Sequence, residues 1–161
     1  MIAMKKNMVT KVNRLFLNLS IIWTGLFAAM SFYWAMGGSF GIKSLGGSIY
    51  EQSLNPEPSF IIIVWITGFV KLLGVVLLCM LLVNWQSNWI KKSLYFTTKI
   101  VSIFLFLYGL LNFITITLSA LDILDFDLDS NATFWRLVFW EPFWMLGGIF
   151  YFFSIKKVKT S

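Results

Sequence analysis

The chain contains no histidine, a single cysteine (Cys79) and little charge, 12% of its residues. Without histidine there is no histidine-ligated haem, no His/Cys zinc site and no Ser-His-Asp triad. With one cysteine there is no intramolecular disulfide and no Cys-x-x-Cys redox centre. A membrane enzyme of the quinone-linked disulfide type is excluded on the same ground. The low charge stands beside 58% apolar and 19% aromatic residues over 161 positions. Soluble domains carry about 45–50% apolar and about 25% charged residues. A domain of about 150 residues leaves roughly 30% of its surface exposed. A soluble globular enzyme and a disordered tail are therefore both poor fits, and the length is that of one domain, 1–161.

A membrane-spanning helix needs about 20 mostly apolar residues. Runs of that length are predicted over 15–36, 60–83, 95–120 and 134–155. Between them stand loop residues: Gly37, Gly38 and Gly41, then Asn55, Pro56 and Pro58, then Asp129, Ser130 and Asn131. The first run has a basic leader but is too long for a signal peptide and lacks an Ala-x-Ala site, so it reads as an uncleaved helix. The expected fold is all-α, an integral membrane four-helix bundle.

Charge sorts by location. Lys5, Lys6, Lys11 and Arg14 precede the first span. Lys91, Lys92 and Lys99 lie between and just inside the second and third, and Lys156, Lys157 and Lys159 follow the fourth. No acidic residue accompanies them. The other two loops hold Glu51, Glu57, Asp122, Asp125, Asp127 and Asp129 against Lys43 and Arg136. Basic loops stay cytoplasmic, so both termini are expected inside and the acidic loops outside. The +6 net charge is then topology and attraction to anionic lipid, with no nucleic-acid partner. The alternate-residue aspartates lack the glycine and glutamate of a calcium loop, and no metal or other cofactor is expected. Tyr33, Trp34, Trp85, Trp89, Tyr95, Trp135 and Trp140 cluster near span ends, where amphipathic rings favour the headgroup level.

Two ionisable residues fall inside spans. Lys71 lies roughly 16 Å from the outer edge of its span and Glu141 roughly 10 Å, at 1.5 Å per residue. A charge at the bilayer centre costs at least ~2.5–3.5 kcal/mol and normally finds a partner. An interhelical Lys71–Glu141 pair is the simplest expectation. Stripes at helical spacing mark inner faces: Ser20, Thr24, Ala28 and Ser31; Thr67, Lys71 and Gly74; Tyr108, Asn112, Thr115 and Ser119; Glu141, Met145 and Gly148. Pro142 is expected to kink the last helix. The polar cluster reads as structural glue, as the lining of an outward-opening pocket framed by Tyr33, Lys71, Tyr108, Asn112 and Glu141, or as a transport site.

Phe32-Tyr33-Trp34-Ala35-Met36-Gly37-Gly38, the stretch Pro56-Glu57-Pro58 and the fourth-span opening Phe134 to Glu141-Pro142-Phe143 together resemble a family of small bacterial four-helix membrane proteins, domain of unknown function 3995. Glu141 stands where the family pattern has an aromatic residue before the proline. The resemblance implies a four-span fold, membrane location and a bacterial source, and it supplies no activity. The functional expectation is a non-enzymatic binding or accessory protein of a bacterial cytoplasmic membrane. Its partners would be membrane lipids and a small ligand or membrane protein, with oligomers open to it. The alternatives are a small oligomeric ion- or proton-coupled transporter using Glu141, and an immunity or stress partner protein.

Overall fold

A computed structural model describes residues 8–124 and 128–159. Asp125 and Asp127 of the acidic loop, with Lys5 and Lys6 of the basic leader, lie outside the described residues. The fold is all-α apart from a short terminal ribbon. Its elements are β1 (Met8–Val12), α1 (Arg14–Ala35), a 3-10 turn (Ile42–Leu45), α2 (Gly47–Leu54), α3 (Pro58–Met80), α4 (Asn88–Ala120), α5 (Ser130–Trp135), a π turn (Arg136–Trp140), α6 (Glu141–Ser154) and β2 (Ile155–Lys159).

Four helical stretches are long and apolar enough to cross a membrane: Arg14–Ala35, Pro58–Met80, Asn88–Ala120 and Ser130–Ser154. They coincide with the four expected spans, but three boundaries move, the fourth span starting already at Ser130. The second span stops at Met80, where Leu81 and Leu82 turn back onto the carbonyls of Leu78 and Cys79. The third starts at Asn88 and runs 33 residues, about 50 Å. That exceeds the ~30 Å of hydrocarbon, and Lys91 and Lys92 fall at its start. The first connection, expected as a loop, contains α2.

The first helix has clear start and stop signals. Asn13 caps it, its side chain accepting from the Leu15 N–H at 3.2 Å. At the other end Gly37 takes φ +91°. There the Gly37 N–H donates to the Trp34 carbonyl and the Gly38 N–H to the Tyr33 carbonyl. This paired arrangement is the Schellman ending, which needs a left-handed residue that glycine supplies without strain.

Packing order is set by small residues. Gly147 of α6 seats the Trp23 ring of α1, and Gly68 of α3 seats the Phe32 ring of α1. Gly109 of α4 and Gly148 of α6 each face the other helix's backbone. The spans therefore run α3–α1–α6–α4 in contact order, and α3 and α4 scarcely meet. The arrangement is more open than a bundle closed on all four sides. Leu17, Trp23, Phe27, Leu78, Trp140 and Tyr151 form the buried core. The Tyr151 hydroxyl shares a 2.8 Å hydrogen bond with that of Thr24.

The expected stripe Ser20, Thr24, Ala28 and Ser31 is fully buried. Two other stripes are met in part. On α3 Lys71 and Gly74 face α1, but Gly68 is buried where Thr67 is exposed. On α4 Gly109 is buried where Tyr108 is half-exposed. Close approach follows the residue without a side chain, and the neighbouring polar residue turns by about 100°. Trp140, expected at the headgroup level, is buried with its indole N–H donating to Ser44 Oγ at 2.9 Å.

The two chain ends meet. β1 and β2 pair antiparallel from Met8↔Lys159 to Val12↔Ile155, and the Asn13 N–H continues the ladder to the Ser154 carbonyl at 2.8 Å.

Candidate functional site

The polar centre of the fourth span begins with a proline. Pro142 has no N–H, and its ring crowds the carbonyl four residues back. The helix responds by widening, which is the local signature of a π turn. Over Arg136–Trp140 the backbone is π-helical, and the Glu141 N–H donates to the Arg136 carbonyl. In an ordinary α-helix residues five apart point about 140° away from each other. A π turn aligns them.

The consequence is an ion pair within one helix. Arg136 Nη2 and Nε lie 2.8 Å and 2.9 Å from Glu141 Oε1. Arg136 Nη2 also reaches Asn112 Oδ1 on α4 at 3.5 Å. Asn112 is oriented by its own Nδ2, which donates to the Tyr108 carbonyl at 2.8 Å. The Tyr108 ring stands edge-on to Trp144, centroids 5.2 Å apart. Glu141 is 3% exposed. Both guanidinium bonds fall on Oε1, and Oε2 is buried without a hydrogen-bond partner among the described residues.

This overturns the expected Lys71–Glu141 pair. Lys71 Nζ instead donates to Ser31 Oγ on α1 at 2.5 Å. It lies 6.0 Å from the ring centroids of both Phe27 and Trp144, at the limit for a cation–π contact. Arginine's fork is the better partner for a carboxylate, and the π turn brings one to Glu141 from the same helix. Lysine, with its compact ammonium, is left to a hydroxyl.

Of the five residues expected to frame a pocket, Tyr108, Asn112 and Glu141 come together. Lys71 does not join them, its ammonium being on the Ser31 hydroxyl of α1. Tyr33 is elsewhere: its ring lies over Gly38, where a Cβ would overlap it, and its hydroxyl accepts from the Phe40 N–H at 3.4 Å. It buttresses the turn that ends α1.

The larger cavity lies on the opposite side of the π turn. A groove of about 600 Å³ runs between α1, the 3-10 turn and α5–α6, within the ~300–1,000 Å³ typical of ligand sites. Phe27 and Trp140 form its buried floor, and Leu26, Phe40, Trp135 and Phe139 are exposed along it. Lys43, Ser44 and Asn131 supply the polar lining. None of the five expected residues lines it. Lys43 makes no ion pair among the described residues. A smaller apolar groove of about 250 Å³ lies between α4 and α6. Among the described residues no cluster of His, Cys, Asp or Glu could hold a metal ion.

Sequence reasoning missed Arg136 and the groove, and it put Ser31 on an inner face without pairing it to Lys71. Arg136 was counted as a loop charge because it stands off the Glu141 face in any regular helix. The available signal was Glu-Pro with an arginine five residues upstream.

Fold and site define the class: a small protein with, among the described residues, four membrane-length helices and one ion pair, which has a buried glutamate. The family model described as a protein of unknown function, DUF3995, matches residues 24–151. The chain belongs to that family. No curated protein and no solved structure matches it.

Proposed function

We propose that this chain is a non-enzymatic binding protein of a bacterial cytoplasmic membrane, with both ends on the cytoplasmic side. The observation that carries the binding reading is the 600 Å³ groove, whose aromatic floor is fixed by a core tryptophan and whose polar lining carries a lysine with no ion pair among the described residues. The orientation is supported by the basic segments and by the β1–β2 ribbon, which holds both ends at one end of the helices. The Arg136–Glu141 pair lies within the fourth span and reaches α4 through Asn112.

The test is extraction from native membranes into polymer-bounded discs, followed by mass spectrometry of what is retained. Wild type is expected to retain a bound molecule that Leu26→Trp, which fills the groove, loses. Identical profiles would overturn the reading. A proton-coupled transporter is the second reading, favoured by Glu141 Oε2, which has no partner among the described residues. It requires Glu141→Gln to abolish pH-dependent uptake. The binding reading requires retention in the groove to survive that change.

A further inference from the structure

We infer that the groove holds one acyl chain of an anionic phospholipid from the leaflet on the side of the α1–α3 connection. This rests on the binding reading above and names its ligand. The first argument is length. Asn131, Trp135, Phe139 and Phe143 recur every four residues along one face of the fourth span, through the π turn, and all four line the groove. Twelve residues at 1.5 Å cover about 18 Å. Half of the ~30 Å hydrocarbon layer is about 15 Å, so the groove runs the depth of one leaflet.

The second argument is polarity along that length. Lys43, Ser44 and Asn131 contribute polar groups at the end nearest the α1–α3 connection, while Leu26, Phe27 and Phe143 lie deeper. Ser44 is already engaged with the Trp140 indole and the Gly41 carbonyl. Lys43 is exposed, and no carboxylate among the described residues neutralises it. That is the end at which a headgroup phosphate would sit.

The third argument is the lining. Apart from Lys43, Ser44 and Asn131 the walls are apolar and largely aromatic, the surroundings that an acyl chain takes. Lipid tails are as apolar as the groove walls, so burial alone does not select one lipid over another. Selection falls to Lys43, whose ammonium would pair with a headgroup phosphate, an exposed pair good for up to about a fivefold preference.

The experiment uses full-length protein reconstituted in vesicles of equimolar phosphatidylglycerol and phosphatidylcholine with identical chains. The protein is transferred to small micelles, and the retained lipid is counted by native mass spectrometry. Wild type is expected to keep one phosphatidylglycerol per chain, about fivefold over phosphatidylcholine. Lys43→Gln should keep one lipid with the preference gone. Leu26→Trp should keep neither. Equal retention of the two lipids by wild type overturns the anionic assignment, and unchanged retention by Leu26→Trp overturns the groove as the site. Lys43 is exposed, so its variant reads the preference without a folding penalty. If native-membrane discs instead yield a non-lipid molecule lost in Leu26→Trp, the lipid inference falls and the binding reading stands. If they yield nothing specific, both fall.

Discussion

Glu141 has one oxygen held twice by Arg136 and the other held by nothing among the described residues. Its stability therefore depends on a single guanidinium. Removing one partner of a buried pair costs about 3–5 kcal/mol, because the other charge is left uncompensated, whereas replacing both by apolar groups is often neutral. Arg136→Met is expected to destabilise by that amount in a denaturant titration in detergent, and Arg136→Met with Glu141→Met to recover most of it. Lys71 behaves differently. Its partner is the Ser31 hydroxyl, so Lys71→Met and Glu141→Gln should add within the ~0.5 kcal/mol expected of independent sites. A coupling energy well above that would restore the interhelical pair rejected above.

At the scale of the element, the fourth span is decided by Pro142 and its glycines. Pro142→Ala restores an N–H and removes the ring's crowding, so the π turn should relax toward a regular α-helix. Arg136 would then turn off the Glu141 face. The measurable result is a fall in the Arg136–Glu141 coupling energy in a double-mutant cycle, and an undiminished coupling would show that the pair does not need the π turn. Gly109 and Gly148 set the α4–α6 crossing. A Cβ at Gly148 would stand 2.7 Å from the Phe106 backbone nitrogen and 2.8 Å from the Ser102 carbonyl oxygen. Backbone cannot give way as a flexible side chain does. Gly148→Ala should cost about 1–3 kcal/mol by overpacking, while Gly25→Ala, with nothing within 4 Å, should be close to neutral.

At the scale of the whole molecule, contact order is α3–α1–α6–α4, and the chain ends are tied by β1 and β2. The ribbon continues directly from the outermost turns of α1 and α6, the pair joined by Trp23 on Gly147 and by its indole N–H to the Phe143 carbonyl at 2.9 Å. A Val12→Cys, Ile155→Cys, Cys79→Ser variant should form an intramolecular crosslink on mild oxidation, read as a mobility shift that reductant reverses. Failure to crosslink would argue against the paired ends.

Tyr33 shows how a legible residue can be assigned the wrong work. Gly37 and Gly38 end the first span as expected, Gly37 taking the left-handed turn, but Tyr33, expected to frame a pocket, covers Gly38. Lys43 and Arg136 show the reverse. They were two bases among acids, treated as background to a topology rule. In the fold one lines the groove and the other holds Glu141.

The amino-acid sequence by itself determined the class of fold and the number and approximate limits of the spans, because apolar length and charge placement are properties of the chain read in one dimension. It also marked Glu141 as a residue that must be partnered. Only the tertiary structure decided the partner and the location of the cavity. The pairing depends on a one-residue widening before Pro142, which rotates a side chain by more than a quarter turn. The groove depends on which faces the glycines allow to close, and neither is carried by a periodicity that assumes a regular helix.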